Sequence, residues 1–202
     1  RGARCKFTEA TPHRADVAVL QYTGGTTGVA KGAMLTHGNL VANLLQMKAV
    51  LTNFEQGKEI MIAPLPLYHI FAFTVCCLGM MEMGGHAVLI TNPRDIPGFV
   101  KELSKWKFTS FAGLNTLFVA LMNNEEFRKL NFSFLKTTAA GGMAMQVKVA
   151  EDWEKRTGCA VCEGFGMTET SPVVSVNPLS AIRIGTIGMP LPNTLVKIID
   201  DD

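Results

Sequence analysis

Residues 17–32 read VAVLQYTGGTTGVAKG, and this change from an apolar run to small, hydroxylated residues guides the interpretation of the whole chain. The segment from Tyr22 to Gly32 holds four glycines, three threonines and one lysine. Glycine permits unusual backbone angles and lets main-chain N–H groups approach a ligand closely. Hydroxyl groups and a lysine ammonium add further donors. The segment is therefore typical of a cradle for an anion, above all for a chain of phosphates.

The spacing separates this segment from two other phosphate-binding loops. A kinase-type loop needs G-x-x-x-x-G-K followed by Ser or Thr, whereas Lys31 comes three residues after Gly28 and is followed by Gly32. The glycines also fail the G-x-G-x-x-G pattern of dinucleotide-binding folds. A phosphotransferase of the kinase type is therefore disfavoured. A plain glycine turn is the structural alternative, although such a turn has no need of three threonines and a lysine.

The composition is that of a globular protein. Of the 202 residues, 48% are hydrophobic and 18% are charged, and the formal net charge is +2. A chain of this length supports one large domain, or a piece of one, with a sizeable core. The near-neutral charge gives no argument for nucleic acid or an anionic membrane surface as a partner.

The five cysteines favour packing over a disulfide framework, because their number is odd. Cys76 and Cys77 lie in an apolar run. Cys159 and Cys162 form a C-x-x-C, but no second pair or nearby His completes a zinc site, so we predict core packing here as well. A reducing, cytoplasmic location is the simplest expectation.

Residues 60–81 contain no Lys, Arg, Asp or Glu, which raises the question of a membrane span. Pro64 and Pro66 interrupt the stretch. We therefore predict a buried strand from Ile60 to Pro64, a turn, and a core helix from about Ile70 to Met83.

Strand and helix patterns alternate along the chain. Strands are predicted at 17–22, 60–65, 86–90, 108–113, 134–142 (ending in a glycine-rich corner) and 160–165. Helices are predicted at 39–51 with Thr36 as its cap, 70–83, 96–106 opened by Asp95, 115–124 with Asn115 at its cap, and 146–158 ending at Gly158. Beyond Ser171, short segments with Pro and Gly indicate antiparallel strands, and residues 195–202 read as a strand followed by a turn.

This alternation predicts an α/β fold with a mostly parallel sheet, flanking helices and antiparallel strands toward the C-terminus. In such sheets ligands bind beyond the carboxyl ends of the strands. Three glycine-rich segments follow predicted strand ends, at residues 23–32, 140–143 and 164–170. We expect them to converge on one crevice.

Three motifs, in this order, resemble the adenylate-forming enzymes, the superfamily of acyl-CoA synthetases, luciferases and peptide-synthetase adenylation domains. YTGGTTGVAKGAMLTHGNL from residue 22 resembles the phosphate-binding signature, PLPLYHIFA at 64–72 the aromatic–histidine segment, and EGFGMTETSP at 163–172 the adenine and magnesium segment. The stretch ITNPRDIPGFVKELSKWKFTSFAGLNTLFVALMNNEEF is similar to bacterial long-chain fatty acid–CoA ligases. The resemblance implies part of the large N-terminal domain of such an enzyme.

The resemblance implies that the first motif holds the β- and γ-phosphates of ATP. The side chains assigned to this role are Thr23, Thr26, Thr27 and Lys31, and the backbone amides are those of Gly24, Gly25 and Gly28. A solvated surface lysine is the alternative for Lys31.

The third motif would hold the metal and the nucleotide. Glu169 is the only acidic residue between Glu163 and Asp200, and the resemblance makes it the Mg²⁺ ligand. Thr168 would bond the α-phosphate, with Met167 beside it. An acid that stabilises a helix N-terminus is the alternative role for Glu169.

Adenine would lie against an aromatic ring framed by glycines. Gly164, Phe165 and Gly166 would flank the base on one side, and Gly141 and Gly142 would line the other, where a Cβ would obstruct it. A core aromatic is the alternative for Phe165.

His69 would lie near the carboxylate under attack, orienting it or stabilising developing charge, although a lone histidine among apolar residues is often part of a core. Phe71, Phe73 and residues 113–118, including Leu114, are weaker candidates for the wall of an acyl tunnel.

The implied reaction joins a long-chain fatty acid to coenzyme A at the expense of ATP, through acyl-AMP and pyrophosphate. We predict that residues 1–178 form the ATP- and acyl-binding core and residues 179–202 the start of a β-rich subdomain. No ribose-binding TGD segment, hinge or lid lysine is found in the sequence. We therefore expect a central fragment of a longer enzyme, with little activity in isolation.

Other functions stay open at this point. The acid activated by the enzyme could be an aryl, short-chain or amino acid, which the size of the acyl pocket would decide. A non-catalytic nucleotide-binding scaffold is a further alternative, although Lys31, Thr168 and Glu169 are all present. Peripheral association with the inner face of the membrane and homo-oligomerisation are compatible with the resemblance, although the sequence shows no basic amphipathic helix.

Overall fold

The computed structural model describes residues 8, 10–23 and 31–200. Its strands are β1 (Val17–Thr23), β2 (Lys31–Thr36), β3 (Ile60–Ala63), β4 (His86–Leu89), β5 (Ser110–Gly113), β6 (Thr137–Ala140), β7 (Val161–Gly166), β8 (Val173–Val176) and β9 (Met189–Pro190). Its helices are α1 (His37–Val50), a π-helical segment (Ala72–Leu78) that continues into α2 (Gly79–Glu82), α3 (Ile96–Leu103), α4 (Asn115–Met122), α5 (Glu125–Arg128) and α6 (Val147–Thr157), with a 3₁₀ turn at Thr168–Thr170.

The main sheet has the strand order β4-β3-β5-β6-β7-β8-β9. The strands from β4 to β7 in this order are parallel to their neighbours, whereas β8 and β9 are antiparallel. The α/β fold with antiparallel strands toward the C-terminus is therefore confirmed. The domain boundary after residue 178 stays a prediction, and β9 beyond it pairs with β8.

The first strand does not belong to this sheet. β1 pairs in an antiparallel hairpin with β2, a strand that the sequence did not lead us to predict. The strand character of β2 comes from its partner across the hairpin, since only Leu35 among its residues is buried. The described ends of the glycine-rich segment at 23–32, namely Thr23, Lys31 and Gly32, therefore belong to strands outside the main sheet. Convergence of all three glycine-rich segments on one crevice stays a prediction.

Helix termini follow the side chains that cap them. The Thr36 hydroxyl accepts from the Asn39 N–H at 3.1 Å, and the Asp95 carboxylate accepts from the Gly98 N–H at 3.1 Å. Gly158 ends α6 with a φ of +74°, a left-handed conformation that glycine adopts without strain. These three predicted caps are confirmed.

Three predicted elements differ from the structure. The helix expected at 70–83 is largely π-helical, with the Gly79 N–H bonded to the carbonyl of Thr74, five residues earlier. Asn115 is the first residue of α4 and not its cap, because its side chain is engaged with the loop before α6. Residues 195–200 form no strand, and the exposure of Leu195 and Ile198 shows that they bury no apolar face.

The two faces of the main sheet are packed differently. One face is covered by α3 to α6 and buries an aromatic cluster in which Trp153 lies against Phe111, Phe118 and Phe127, with ring centroids 4.5–5.6 Å apart. The other face, under the π-helical segment and α2, presents smaller residues. Met61, Ala63 and Ala112 of the sheet are buried there against Ala72, Cys76 and Met80 of the π-helical segment and α2. Because successive side chains of a strand point to opposite faces, the larger residues lie on one face of the sheet and space is left on the other.

Cys76, Cys159 and Cys162 are buried and Cys77 is partly buried, so the core packing predicted for these four cysteines is confirmed. Burial raises the pKa of the Cys76 thiol and that of the Cys162 thiol to about 12. The Cys162 Sγ lies 3.2 Å from the carbonyl oxygen of Asn177. Along the described part of the chain, no helix combines the length and apolarity that crossing a bilayer requires.

Candidate functional site

A cavity of about 280 Å³, the site cavity, opens at the carboxyl ends of β6 and β7. Its lining residues are Met47, Val50, Leu51, His69, Ile70, Phe71, Val75, Thr137, Ala139, Ala140, Gly141, Gly142, Cys162, Gly164, Phe165, Gly166, Met167, Thr168, Pro172, Val173 and Val176. Two strand ends, α1 and the π-helical segment thus enclose one concave space, at the edge of the parallel sheet where ligands commonly bind.

The site cavity brings together residues from two of the three motifs. His69 contributes from the aromatic–histidine segment, and the whole run from Gly164 to Thr168 contributes from the third motif. Gly141 and Gly142 join them from the corner after β6. Residues that are more than 90 positions apart in sequence therefore share one cavity.

Other predicted residues lie outside the lining. Glu169 is exposed in the 3₁₀ turn next to Thr168, and Lys31 is exposed at the start of β2. The predicted residues Gly24, Gly25, Thr26, Thr27 and Gly28 lie outside the described residues. The assigned roles of all these residues stay predictions.

The hairpin that carries the first motif is attached beside the site cavity. The Gln21 side chain donates to the Tyr68 carbonyl at 2.7 Å, directly before His69. Cα atoms of β2 lie within 8 Å of Cα atoms in the 3₁₀ turn. At the hairpin base, the Thr23 hydroxyl donates to the Lys31 carbonyl at 3.3 Å. The described ends of the first motif are thus held close to the third.

Glycine is required at two positions of the cavity wall. A Cβ on Gly166 would collide with the backbone of Pro172, so the chain there can approach only without a side chain. Gly142 has a φ of +83°, which disfavours any L side chain. The glycine-rich corners therefore reflect close backbone approach and local conformation, in addition to any contact with a ligand.

Phe165 is the aromatic residue that the third motif offers to a ligand. It is 40% exposed although it lies on β7, within the main sheet. On the opposite wall, Phe71 lies under Gly141, where an added Cβ would come within 3.4 Å of the ring. A half-exposed ring lining a cavity is available for stacking, whereas the core aromatics of this protein are almost fully buried.

The His69 side chain is fixed by the helix that follows it. Its Nδ1 accepts from the Phe71 N–H at 3.2 Å, and its carbonyl accepts from the Phe73 N–H at 2.9 Å. With Nδ1 used as an acceptor, a neutral imidazole carries its proton on Nε2. His69 is therefore oriented as a donor through Nε2, which suits a role toward an anionic group.

The residues predicted to form the wall of an acyl tunnel lie in different environments in the structure. Phe71 lines the site cavity. Phe73 packs instead against the cluster of Leu35, Leu40 and Ile70, and Phe118 is buried in the aromatic core. Helical spacing alone did not distinguish these environments.

A second, narrower cavity adjoins the first on the same face of the sheet. This distal cavity of about 50 Å³ lies between α1 on one side and the π-helical segment with α2 on the other. Its lining residues are Leu44, Met47, Lys48, Leu51, Phe54, Met61, Val75, Gly79, Met80, Glu82, Met83, Phe111, Thr137 and Ala139. The residues common to both cavities are Met47, Leu51, Val75, Thr137 and Ala139. The site cavity therefore continues into an apolar recess rich in methionine.

Asn43 is a residue that the sequence analysis missed. It is buried in α1, where its side chain donates to the Val173 carbonyl at 2.7 Å and accepts from the Val173 N–H at 3.1 Å. Both bonds reach the strand that follows the 3₁₀ turn. Asn43 thus ties the helix after the first motif to the third motif. The sequence signal was a polar residue between apolar ones in a predicted helix.

Glu163 is the second missed residue. Glu163 is only 5% exposed. Its carboxylate accepts from the Met145 N–H at 2.7 Å and from the Gly185 N–H at 3.0 Å. Its carbonyl accepts from both the backbone and the side-chain nitrogens of Asn177. Glu163 therefore joins the corner after β6 to the loop before β9. A lone acid inside an apolar strand was the available signal.

Comparison with known proteins agrees with this geometry. The family of AMP-binding enzymes matches residues 3–202. The chain is 55% identical over 203 aligned positions to a long-chain-fatty-acid–CoA ligase of Salmonella typhimurium, and the match covers 100% of this chain and 36% of that protein. The chain therefore spans about a third of the length of this curated relative.

Two solved structures have the same fold. An anthranilate CoA ligase in complex with anthranoyl-AMP superposes with a TM-score of 0.89 at 23% identity, over 97% of this chain and 38% of that one. A long-chain-fatty-acid-CoA ligase from Archaeoglobus fulgidus gives a TM-score of 0.72 at 29% identity, over 88% of this chain and 37% of that one. With the family match along nearly its whole length, the chain belongs to the AMP-binding enzymes.

Proposed function

We propose that the whole protein is a long-chain fatty acid–CoA ligase. A carboxylate oxygen of the fatty acid attacks the α-phosphorus of ATP, pyrophosphate leaves, and acyl-AMP is formed. The thiol sulfur of coenzyme A then attacks the acyl carbon, AMP leaves with the bonding electron pair, and the thiol proton is released. The similarity to the long-chain-fatty-acid–CoA ligase of Salmonella typhimurium supports this assignment.

The distal cavity is the observation that favours a long acyl chain over a small acid. It extends the site cavity between α1 and α2, away from the sheet edge where the third motif lies. Methionine side chains such as Met47, Met61 and Met80 line it, and these adapt their shape to an apolar ligand. A small polar acid would leave this apolar recess unused.

The chain's own residues would act by positioning and by stabilising charge. Phe165 would stack on adenine, and the absence of side chains at Gly141 and Gly164 would leave space for the base. His69, oriented as an Nε2 donor, would bond the carboxylate that attacks. No protein nucleophile is required, because the substrate carboxylate supplies one.

The donor set around the 3₁₀ turn fits Mg²⁺ carried by phosphates. Within residues 8, 10–23 and 31–200, no cluster of three or more His, Cys, Asp or Glu could hold a metal ion. Mg²⁺ commonly uses one or two carboxylates together with substrate phosphates and water. Glu169, exposed beside Thr168, would supply that carboxylate. The bound ion would neutralise charge on the phosphates of ATP.

The test is ATP–pyrophosphate exchange by the whole protein with a panel of acids. We expect the highest kcat/KM with a long-chain fatty acid, with pyrophosphate and not ADP as the product. A short-chain, aryl or amino acid as the preferred substrate would overturn the choice of acid. Production of ADP would overturn the adenylation mechanism itself.

A second measurement tests the site residues. Glu169→Gln removes the proposed metal carboxylate with little change in volume, and we expect exchange to fall by at least about a hundredfold, since charge stabilisation of this kind contributes several kcal/mol. Glu151→Gln, at an exposed position of α6, is the matched control and should keep full exchange. Equal activity of the two variants would contradict the role of Glu169.

A further inference from the structure

The distal cavity ends at two charged residues. Among the residues that line it, Lys48 from α1 and Glu82 from α2 are the charged ones, and their Nζ and Oε1 atoms are 2.9 Å apart. Their side chains are 42% and 41% exposed, whereas Met61 and Met80 deeper in the cavity are almost fully buried. The ion pair thus bridges the two helices at the solvent end of the recess.

The helices on either side are close enough to be held by this pair. α1 and the π-helical segment are in contact over the sheet, and α2 continues directly from that segment. Gly79, where the π-helical segment passes into α2, borders the cavity without a side chain. An added Cβ there would come within 3.3 Å of the Thr74 carbonyl oxygen. The wider π-helical turn and this glycine leave the recess open between the helices.

The recess is narrow, and the ion pair at its end is weak. A volume of about 50 Å³ holds only a few water-sized groups, so the recess would take the last few methylenes of a chain. Surface ion pairs between partly exposed side chains contribute little to stability, so a chain that is slightly too long can displace this one at a modest cost.

We propose that the Lys48–Glu82 ion pair closes the distal end of the acyl channel and sets the longest acyl chain that the enzyme accepts efficiently. This inference rests on the proposed function, since it assumes that the acyl chain enters from the site cavity. Lys48 and Glu82 then determine specificity without touching the reacting atoms.

The experiment compares kcat/KM of the whole protein for saturated fatty acids of increasing even length. Glu82→Ala removes the tie between the helices and should raise kcat/KM up to about fivefold for acids longer than the preferred one, which is the range that an exposed ion pair allows. Leu44→Trp fills the recess from α1 and should lower kcat/KM about tenfold or more for the longest acids while short acids are still used. The tenfold loss expected for Leu44→Trp is that of a methylene excluded from an apolar pocket.

Exchanging the two charges distinguishes an effect of the ion pair from an effect of loosened packing between the helices. Lys48→Glu and Glu82→Lys each break the pair and should shift the length preference upward. The double variant restores opposite charges across the same gap and should return the preference to that of the wild type. Glu126→Ala breaks an exposed pair with Lys129 elsewhere on the surface and should leave the length profile unchanged.

The results distinguish this inference from the proposed function. If long-chain acids are activated but neither Glu82→Ala nor Leu44→Trp changes the order of chain lengths, the inference is overturned and the proposed function stands. If no fatty acid supports exchange by the wild-type protein, both fail. A length profile that shifts in the single variants and recovers in the double variant supports the closure.

Discussion

The amino and carboxyl edges of the parallel sheet use polar residues in opposite ways. At the amino edge, Glu59 precedes β3, Thr109 precedes β5 and Lys136 precedes β6. The buried Glu59 carboxylate accepts from the Thr109 hydroxyl and from the Glu55 N–H, both at 2.6 Å, and pairs with the Lys136 Nζ at 2.8 Å. These three polar side chains thus find their partners within the protein.

The carboxyl edge leaves its groups available. Phe165 and Glu169 are exposed, and His69 uses one ring nitrogen while the other carries the proton in the neutral form. Glycines at Gly142 and Gly166 keep side chains out of the space between. The same strands therefore end in a closed polar network on one side and in an open cavity on the other.

The role of a polar group can thus be judged from whether its hydrogen-bonding partners lie within the protein. A network whose partners all lie within the protein contributes to stability, whereas polar and aromatic groups grouped around an open cavity are free to meet a ligand. Substitutions at the amino edge should therefore change unfolding more than binding, and substitutions at the carboxyl edge the reverse.

We expect the greatest loss of unfolding free energy at the amino edge. Lys136→Met leaves the buried Glu59 carboxylate without its cation, and removing one partner of a buried pair costs about 3–5 kcal/mol of unfolding free energy. Urea denaturation measures the loss. Lys129→Met, which breaks an exposed pair with Glu126, is the matched control with an expected cost below about 1 kcal/mol. Equal losses in the two variants would remove the distinction between the edges.

Glu163→Leu tests the one carboxylate at the carboxyl edge that the protein satisfies itself. The change leaves the Met145 and Gly185 N–H groups buried without an acceptor, and we expect unfolding to become easier by about 2–4 kcal/mol. Hydrogen exchange should accelerate first at these two amides. Glu151→Leu, at an exposed site on α6, serves as the control. Unchanged protection at both amides would show that Glu163 does not hold the two loops.

How much the sequence could predict follows from how local each signal is. Thr36, Asp95 and Gly158 act on backbone groups within a few residues, so their caps were predicted correctly. The partner of Asn43 lies 130 positions away, and the acceptor role of Glu163 depends on backbone amides 18 and 22 positions away. Propensity and periodicity contain no information on such partners.

The candidate site shows the same division. The order of the three motifs predicted which loops would matter, and two of them meet in the site cavity. The hairpin of β1 and β2 was missed because its pairing depends on contact across a loop, and the π-helical segment carries no residue pattern of its own. The distal cavity could not be predicted, because it arises from the spacing of α1 and α2 above small strand residues such as Ala139.

Phe165→Ala should weaken ligand binding more than it changes stability, which is the opposite of what we expect at the amino edge. Stacking of a base on an aromatic ring is worth about 1–3 kcal/mol, so ATP binding by the whole protein should weaken about tenfold, while unfolding changes little. Phe165→Tyr keeps a flat ring and should bind as the wild type does. Phe134, which is 43% exposed compared with 40% for Phe165, is the matched site for a Phe→Ala control. Isothermal titration with ATP and urea denaturation give the two readouts, and a Phe165→Ala variant with wild-type ATP affinity would exclude the stacking role.

The weakest of these effects is a pH dependence of stability at the amino edge. Burial acts to raise the pKa of Glu59, but hydrogen bonds from Lys136, Thr109 and the Glu55 backbone, with the charge of Lys136, leave that pKa below its ordinary value. A carboxyl whose pKa is lowered by folding stabilises the protein above the unfolded pKa of about 4.3, and this contribution is lost as pH falls through the folded pKa. The slope for one such group is at most about 1.4 kcal/mol per pH unit.

Glu59→Gln should flatten this acid limb of the unfolding free energy. Glu55→Gln should flatten it less at high salt, because Glu55 is exposed and its charge is screened. An acid limb identical in wild type and Glu59→Gln would mean that the charge of the buried carboxylate adds nothing to the closed network at this edge.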